Sequence, residues 1–110
     1  MGKFVKGDVV VVPFPFSDLS NAKTRPALVI TRLSGDDVIL CQITTPYRID
    51  GYSISLLNTD FASGSINHDS YIRPNRLFTA DSNIIIRKAG KISRKKMNEV
   101  IQKIIEIIKA

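Results

Sequence analysis

The chain has 110 residues, 44% of them hydrophobic, and its 16 Lys and Arg against 10 Asp and Glu give a formal net charge of +6. That length and hydrophobic content suit one domain, 1–110, with a single core. The lone cysteine, Cys41, excludes an intramolecular disulfide, so we do not expect a disulfide-framed secreted module. The sequence holds no apolar stretch of signal-peptide or membrane-span length, and we expect a cytoplasmic protein with no membrane partner.

The first half of the chain predicts three strands. Residues 9–16 are all apolar or proline and rich in Val and Phe, which favours a strand that ends or bulges at its prolines. A polar loop is expected over 17–24. Residues 27–31 and 38–44 flank a Gly-Asp turn at 34–37, so we expect them to pair as a hairpin.

The second half predicts shorter strands and a final helix. Residues 52–57 alternate in polarity like a half-buried strand, 61–69 are small and polar and suggest a loop, and 71–78 resume strand character. The short apolar run at 84–86 and the Gly90 that follows it indicate a last strand or half-turn. Beyond it, apolar residues recur at helical spacing, with Ser93 well placed as the N-cap; they are Met97, Val100, Ile101, Ile104, Ile105 and Ile108.

Short strands followed by one terminal helix predict a mainly β fold, a small and strongly bent antiparallel barrel of the SH3-like kind. Six cations without an acid between them account for the whole charge surplus: Arg87, Lys88, Lys91, Arg94, Lys95 and Lys96. A local basic surface is typical of proteins that meet phosphates, and it also occurs as an ordinary solvated face. We expect it to attract a polyanionic partner if it is not simply solvated.

No common catalytic motif is present, and His68 is the only histidine, so catalysis by a histidine pair is excluded. Arg25 directly precedes Pro26 at the start of a predicted strand, which suggests a guanidinium held at the barrel rim or a cation that merely flanks the strand. Thr44 and Thr45 end the next strand, where side chains often meet ligands, although threonine is common in strands anywhere.

A third polar group lies in the predicted strand 71–78. Arg73 and Asn75 share a face if the strand is regular, and Arg76 follows them. Pro74 can disturb that alternation, because proline donates no hydrogen bond to a neighbouring strand.

Together these segments resemble the MazF/PemK toxins of type II toxin-antitoxin modules. The resemblance covers nearly the whole chain in order, through KGDVVVVPFPFSD, KTRPALVIT, CQITT, SYIRPNRLFTAD and GKIS. It implies an SH3-like barrel of the CcdB/MazF/PemK type that forms a homodimer. It also implies an endoribonuclease that needs no metal or cofactor, cleaves single-stranded mRNA at short sequences and is neutralised by an acidic cognate antitoxin.

The same resemblance implies the site. The arginine of Arg-Pro-Ala and the threonine of Ile-Thr are catalytic in that family, which assigns Arg25 and Thr44 here. Some PemK-like members carry Arg-x-Asp, proposed acid and base; Arg73 matches the arginine, but Asn75 stands where the aspartate would be. Asp69 or Asp18 could replace that base, the substrate could assist, or the enzyme could be slow.

RNA contacts are expected from the 17–24 connection, which corresponds to a gating loop in the family, and from aromatic and cationic side chains that suit unpaired bases and phosphates. These residues are Phe16, Ser17, Lys23, Thr45, Tyr47, Asn75 and Arg76. Two other hypotheses remain open. One is a CcdB-like poison that binds DNA gyrase without catalysis, and the other is an inactive relative that only binds RNA or antitoxin.

Overall fold

Seven strands form one antiparallel sheet in the computed structural model, which describes residues 4–13, 24–47 and 49–110. The strands are β1 (Asp8–Pro13), β2 (Thr24–Arg32), β3 (Asp37–Thr44), β4 (Ile54–Leu56), β5 (Phe61–Gly64), β6 (Ser70–Asp81) and β7 (Arg87–Ile92). Their order across the sheet is β4-β6-β3-β2-β1-β7-β5, so β4 and β5 are the edges of a half-barrel. A C-terminal helix, α1 (Arg94–Lys109), follows the last strand.

The predicted hairpin of the first half is confirmed. β2 and β3 pair antiparallel, with Val29 opposite Leu40, and Gly35 in the turn adopts a φ of +73°, a conformation that glycine reaches without strain. β1 pairs with β2 through Val9 opposite Leu28. The run of Val residues in β1 is buried because both faces of this strand contact apolar side chains.

One element prediction in the second half is wrong, and another is displaced along the chain. The segment predicted as a loop over 61–69 begins with β5, which pairs with β7; Gly90 permits this close approach, because a Cβ there would lie 2.6 Å from the Ser63 carbonyl oxygen. The last strand is β7, shifted from the apolar run 84–86 into the basic segment. Residues of that run end a short 3₁₀ helix, Ser82–Ile84, and lead into β7.

A bulge interrupts β6 at the proline. Gln42 of β3 lies opposite Arg73, yet the preceding residue Cys41 lies opposite Leu77, so three residues of β6, 74–76, leave the ladder. Pro74 is fully buried and cannot donate a ladder hydrogen bond, which explains why pairing breaks here. Because an odd number of residues leaves the pairing, the alternation of β6 side chains between the two faces of the sheet is reversed across the bulge.

Apolar side chains cover both faces of the sheet. The first cluster joins the sheet to α1 and consists of Val9, Leu28, Cys41, Ile43, Ile54, Leu56, Ile72, Ile92, Met97 and Val100. The second lies on the opposite face of β1, β2 and β3 and consists of Val10, Val12, Ala27, Val29, Val38 and Leu40. Residues beyond the second cluster on the same face, toward the ends of β2 and β3, form the candidate site.

The terminal helix begins where the sequence predicts. The Ser93 hydroxyl accepts a hydrogen bond from the Lys96 amide at 3.2 Å, as an N-cap does. Met97 and Val100 are buried, whereas Ile105 and Ile108 are exposed, the latter by 72%. Among the helices of the described residues, none is long and apolar enough to cross a bilayer.

Candidate active site

The register of β2, β3 and β6 brings Arg25, Thr44 and Tyr71 to one face of the sheet. Thr44 lies directly opposite Tyr71, and Ala27 lies opposite Gln42. The pairing of β2 with β3 begins at Ala27, and Arg25, two residues earlier in β2, faces the same side of the sheet as Ala27. Opposed residues of antiparallel strands share a face, so Arg25, Thr44 and Tyr71 lie on one side of the sheet.

Arg73 lies on the same face, one rung away from Thr44. It is opposite Gln42, and the bulge at 74–76 is what turns it to this side. Its side chain is almost buried, and its Nη2 forms an ion pair with Asp50 Oδ2 at 3.0 Å. The structure therefore brings together all three residues predicted to be catalytic, on adjacent strands of one sheet face.

Asp50 comes from the connection between β3 and β4 and is held firmly there. Its other oxygen, Oδ1, accepts hydrogen bonds from the Tyr52 amide at 3.0 Å, the Ser53 amide at 3.3 Å and the Ser53 hydroxyl at 3.4 Å. The Tyr52 amide and, after it, the Arg73 guanidinium lower the pKa of Asp50 below its ordinary 3.8. Asp50 is therefore a carboxylate at neutral pH.

Cys41 supports Arg73 from behind the sheet. Its thiol donates a hydrogen bond to the Arg73 carbonyl oxygen at 2.9 Å. Burial in the first apolar cluster raises the pKa of this thiol to about 12, so it stays protonated at neutral pH. The thiol thus acts as a small buried donor, as expected for a lone cysteine in an apolar strand.

Asn75 and Arg76 are not carried to the candidate site by strand alternation. Both are exposed in the bulge of β6. The prediction that Arg73 and Asn75 share a face is wrong, because the ladder is interrupted between them. The reason is Pro74, whose missing N–H breaks the pairing on which alternation depends.

Tyr47 and Thr45 lie just beyond the end of β3. The Tyr47 ring is 60% exposed, and its centroid lies 5.2 Å from that of Tyr71 with the planes tilted by 58°. This pair places an aromatic surface beside Thr44. The remaining predicted RNA contacts, Phe16, Ser17 and Lys23, lie outside the described residues.

An open cavity of about 420 Å³ is lined by Arg25 but not by Thr44 or Arg73, and it includes Ala89, which packs against the first apolar cluster. Arg25 and its neighbours in β2 line one wall, residues 65–68 between β5 and β6 line another, and Arg87 lies at the β7 side. His68 and Thr45 also contact the cavity, so the only histidine borders the same space as Arg25. Arg25 of β2 and Arg87 of β7 give the cavity a cationic lining, with β1 lying between these two strands in the sheet.

The basic segment is less uniform than its sequence indicates. Lys88 and Lys91 both approach the buried carboxylate of Asp8, at 3.2 and 3.7 Å. Lys96 pairs with Glu99 at 3.1 Å and donates to the Ser55 carbonyl oxygen. Arg87 instead lines the cavity together with Arg25, whereas Thr44 and Arg73 do not line it.

Sequence reasoning missed two contributors. Asp50 lies 23 residues from its partner Arg73, and no local pattern connects them. The sequence pattern predicts Tyr71 only as a strand residue, but its pairing opposite Thr44 puts it on the same face as the candidate site. Within the described ranges, no three His, Cys, Asp or Glu side chains group as ligands of a metal ion.

The antiparallel sheet with its C-terminal helix carries Arg25 and Thr44 near the ends of adjacent strands. The sequence profile of the PemK-like, MazF-like toxin of type II toxin-antitoxin systems matches residues 5–108. The chain therefore belongs to the PemK/MazF toxin family. No curated protein matches the sequence.

Solved structures show the same fold at low sequence identity. MazF in the MazE-MazF crystal structure from Deinococcus radiodurans is 14% identical, with a TM-score of 0.77 over 96% of this chain and 95% of that one. An endoribonuclease in complex with its cognate antitoxin from a mycobacterial species is also 14% identical, with a TM-score of 0.75 over 96% and 94%. The Mycobacterium tuberculosis toxin MazF-mt6 is 17% identical, with a TM-score of 0.73 over 93% and 96%. The predicted fold class, mainly β with a C-terminal helix, is confirmed.

Proposed function

We propose that this chain is a toxin that cleaves single-stranded mRNA at short sequences without a metal ion or cofactor, and that a cognate antitoxin neutralises it. The observation that carries the proposal is the shared sheet face of Arg25, Thr44 and Arg73 on three adjacent strands. Family membership and the similar fold of proteins described as endoribonucleases support it.

Arg25 and Thr44 suit phosphodiester cleavage by the neighbouring 2′-hydroxyl. In that reaction the 2′-oxygen bonds to phosphorus, the bond to the 5′-oxygen breaks, and negative charge gathers on the phosphoryl oxygens. A guanidinium can bind two such oxygens at once, and the threonine hydroxyl can donate to the same group. Neither side chain is a good general base at neutral pH, so the 2′-proton passes to water or to a phosphoryl oxygen of the RNA, and the departing 5′-oxygen takes up a proton from water.

Two partners accompany this proposal. The antitoxin is an acidic chain whose extended segment covers the cationic cavity between Arg25 and Arg87. A second copy of the toxin covers apolar surface, for which the exposed Ile105 and Ile108 of α1 are candidates. We expect both the toxin and its antitoxin to be cytoplasmic, and light scattering of the purified toxin tests the homodimer.

The decisive experiment incubates the full chain with a long single-stranded RNA in EDTA, beside Arg25→Ala and Thr44→Ala. We expect discrete fragments that end in 2′,3′-cyclic phosphate, lost in both variants. Matched controls are Arg32→Ala, an exposed arginine at the far end of β2, and Thr79→Ala, an exposed threonine of β6. Both controls should cleave like the wild type.

Other outcomes would favour the alternatives. Intact RNA that still binds the protein would indicate an inactive binding relative. Intact RNA with inhibited supercoiling by DNA gyrase would indicate a CcdB-like poison. Cleavage that disappears in EDTA and returns with a divalent ion would refute the metal-independent reaction.

A further inference from the structure

Arg73 reaches the site face with its guanidinium held at one end. Only 11% of its side chain is exposed, and Asp50 Oδ2 binds Nη2 at 3.0 Å. Its main chain is held as well, because its carbonyl oxygen accepts the Cys41 thiol. A guanidinium carries five N–H donors, so the ion pair with Asp50 leaves others to bind a phosphate.

Asp50 is itself anchored by its own loop. Three hydrogen bonds, from the Tyr52 amide and from the amide and hydroxyl of Ser53, hold Oδ1. Oδ2 is engaged by Arg73, so both carboxylate oxygens already have donors. A carboxylate in this state is a poor proton acceptor and a good fixed anchor.

Among the described residues, no carboxylate close to Arg73 in the sequence forms an ion pair with its guanidinium. Asn75 is exposed in the bulge and carries a neutral amide. The buried Nε of Arg73 has no hydrogen-bond partner in the described part of the chain, which leaves Asp50 as the group that orients the guanidinium there. An Arg without such an anchor samples more rotamers, and ordering it costs side-chain entropy.

We propose that Asp50 is a positioning residue, which rests on the proposed function: it holds the Arg73 guanidinium toward the RNA phosphate beside Thr44 and takes no proton itself. The β3–β4 connection thus supplies Arg73 with a carboxylate partner that β6 does not provide. The role concerns orientation, so it should affect turnover more than substrate binding.

Asp50→Asn separates this role from a purely structural one. The amide oxygen of asparagine can still accept the Tyr52 and Ser53 hydrogen bonds that shape the loop, but it has no charge for Arg73. We expect kcat on a short RNA to fall by about tenfold or more, with KM changed by less than about threefold. Asp36→Asn, the same change at an exposed turn residue, is the matched control and should leave both unchanged.

A double-mutant cycle tests whether Asp50 acts through Arg73. In an Arg73→Ala background, adding Asp50→Asn should cause no further loss of kcat, because the group that it positions is gone. Independent, additive losses would overturn the proposal, and so would Asp50→Asn with wild-type kcat. Thermal unfolding of Asp50→Asn close to that of the wild type shows that the loop is intact.

Nitrogen-15 NMR of the arginine side chains gives a readout that needs no cleavage. Rotation of the Arg73 guanidinium should be hindered in the wild type and free in Asp50→Asn; free rotation in both would overturn the proposal. A wild-type chain that cleaves no RNA would instead overturn the proposed function and, with it, the catalytic purpose of Asp50. Cleavage by the wild type with an unchanged Asp50→Asn variant would overturn only the role of Asp50.

Discussion

Gly64 ends β5, directly before the residues that line one wall of the cavity. Its φ is +72°, and a Cβ built on it would meet the backbone of β7, at the Ala89 carbonyl oxygen and 2.5 Å from the Gly90 Cα. These are backbone atoms that cannot rotate aside. We therefore expect Gly64→Ala to push β5 away from β7, whereas Gly35→Ala meets no atom within 4 Å.

The two substitutions share one cost and differ in another. A left-handed backbone costs a non-glycine residue about 1–2 kcal/mol, and alanine regains about 0.4–1 kcal/mol by restricting the unfolded chain, so Gly35→Ala should destabilise by about 1 kcal/mol. Gly64→Ala adds the backbone overlap and weakens the pairing of an edge strand that has β7 as its only partner in the sheet. With about 1 kcal/mol for each lost ladder hydrogen bond and the overlap added, we expect a total of about 3–5 kcal/mol.

Urea and thermal unfolding followed by circular dichroism measure this difference. For a domain of this size about 1 kcal/mol corresponds to about 4–8 °C in Tm, so Gly35→Ala should lose a few degrees and Gly64→Ala more than about 12 °C. Equal losses in the two variants would refute the reasoning, since they share the positive φ and differ only in the contact with β7.

Three further predictions concern charge and the thiol. Arg87→Ala should weaken RNA binding and reduce the salt slope by about one, whereas Arg94→Ala, on the exposed first turn of α1, should change the slope less; equal changes would restore a uniform basic segment as the binding surface. Folding lowers the pKa of Asp50 below its ordinary 3.8, so its ion pair with Arg73 is fully formed above that pH and is lost only as the pH falls through the lower folded pKa. The ratio of wild-type activity to Asp50→Asn activity should therefore stay constant from about pH 5 to 8. Cys41, with a pKa of about 12 and a buried thiol, should not react with a thiol reagent at pH 8 until the protein unfolds, and rapid native labelling would contradict its burial.

The candidate site was predictable where its residues come from regular strands. Arg25 and Thr44 follow from their family motifs, and the hairpin that joins their strands follows from alternation and a Gly-Asp turn. Asn75 shows the limit of that reasoning, because the shared face predicted for it assumed a regular strand and Pro74 interrupts the ladder. Strand parity beyond a bulge depends on how many residues leave the pairing, which the sequence does not state.

Local patterns decided the terminal helix, its Ser93 cap, the hairpin and the family, because each depends on residues close together in the chain or on a motif in fixed order. Only the tertiary structure decided that Asp50 meets Arg73 and that Asp8 takes up two lysines of the basic segment. The +6 net charge follows from the sequence alone, but which cations form ion pairs depends on which carboxylates the fold brings within reach. Arg87 thus lines the same cavity as Arg25, a placement set by the pairing of β7 with β1.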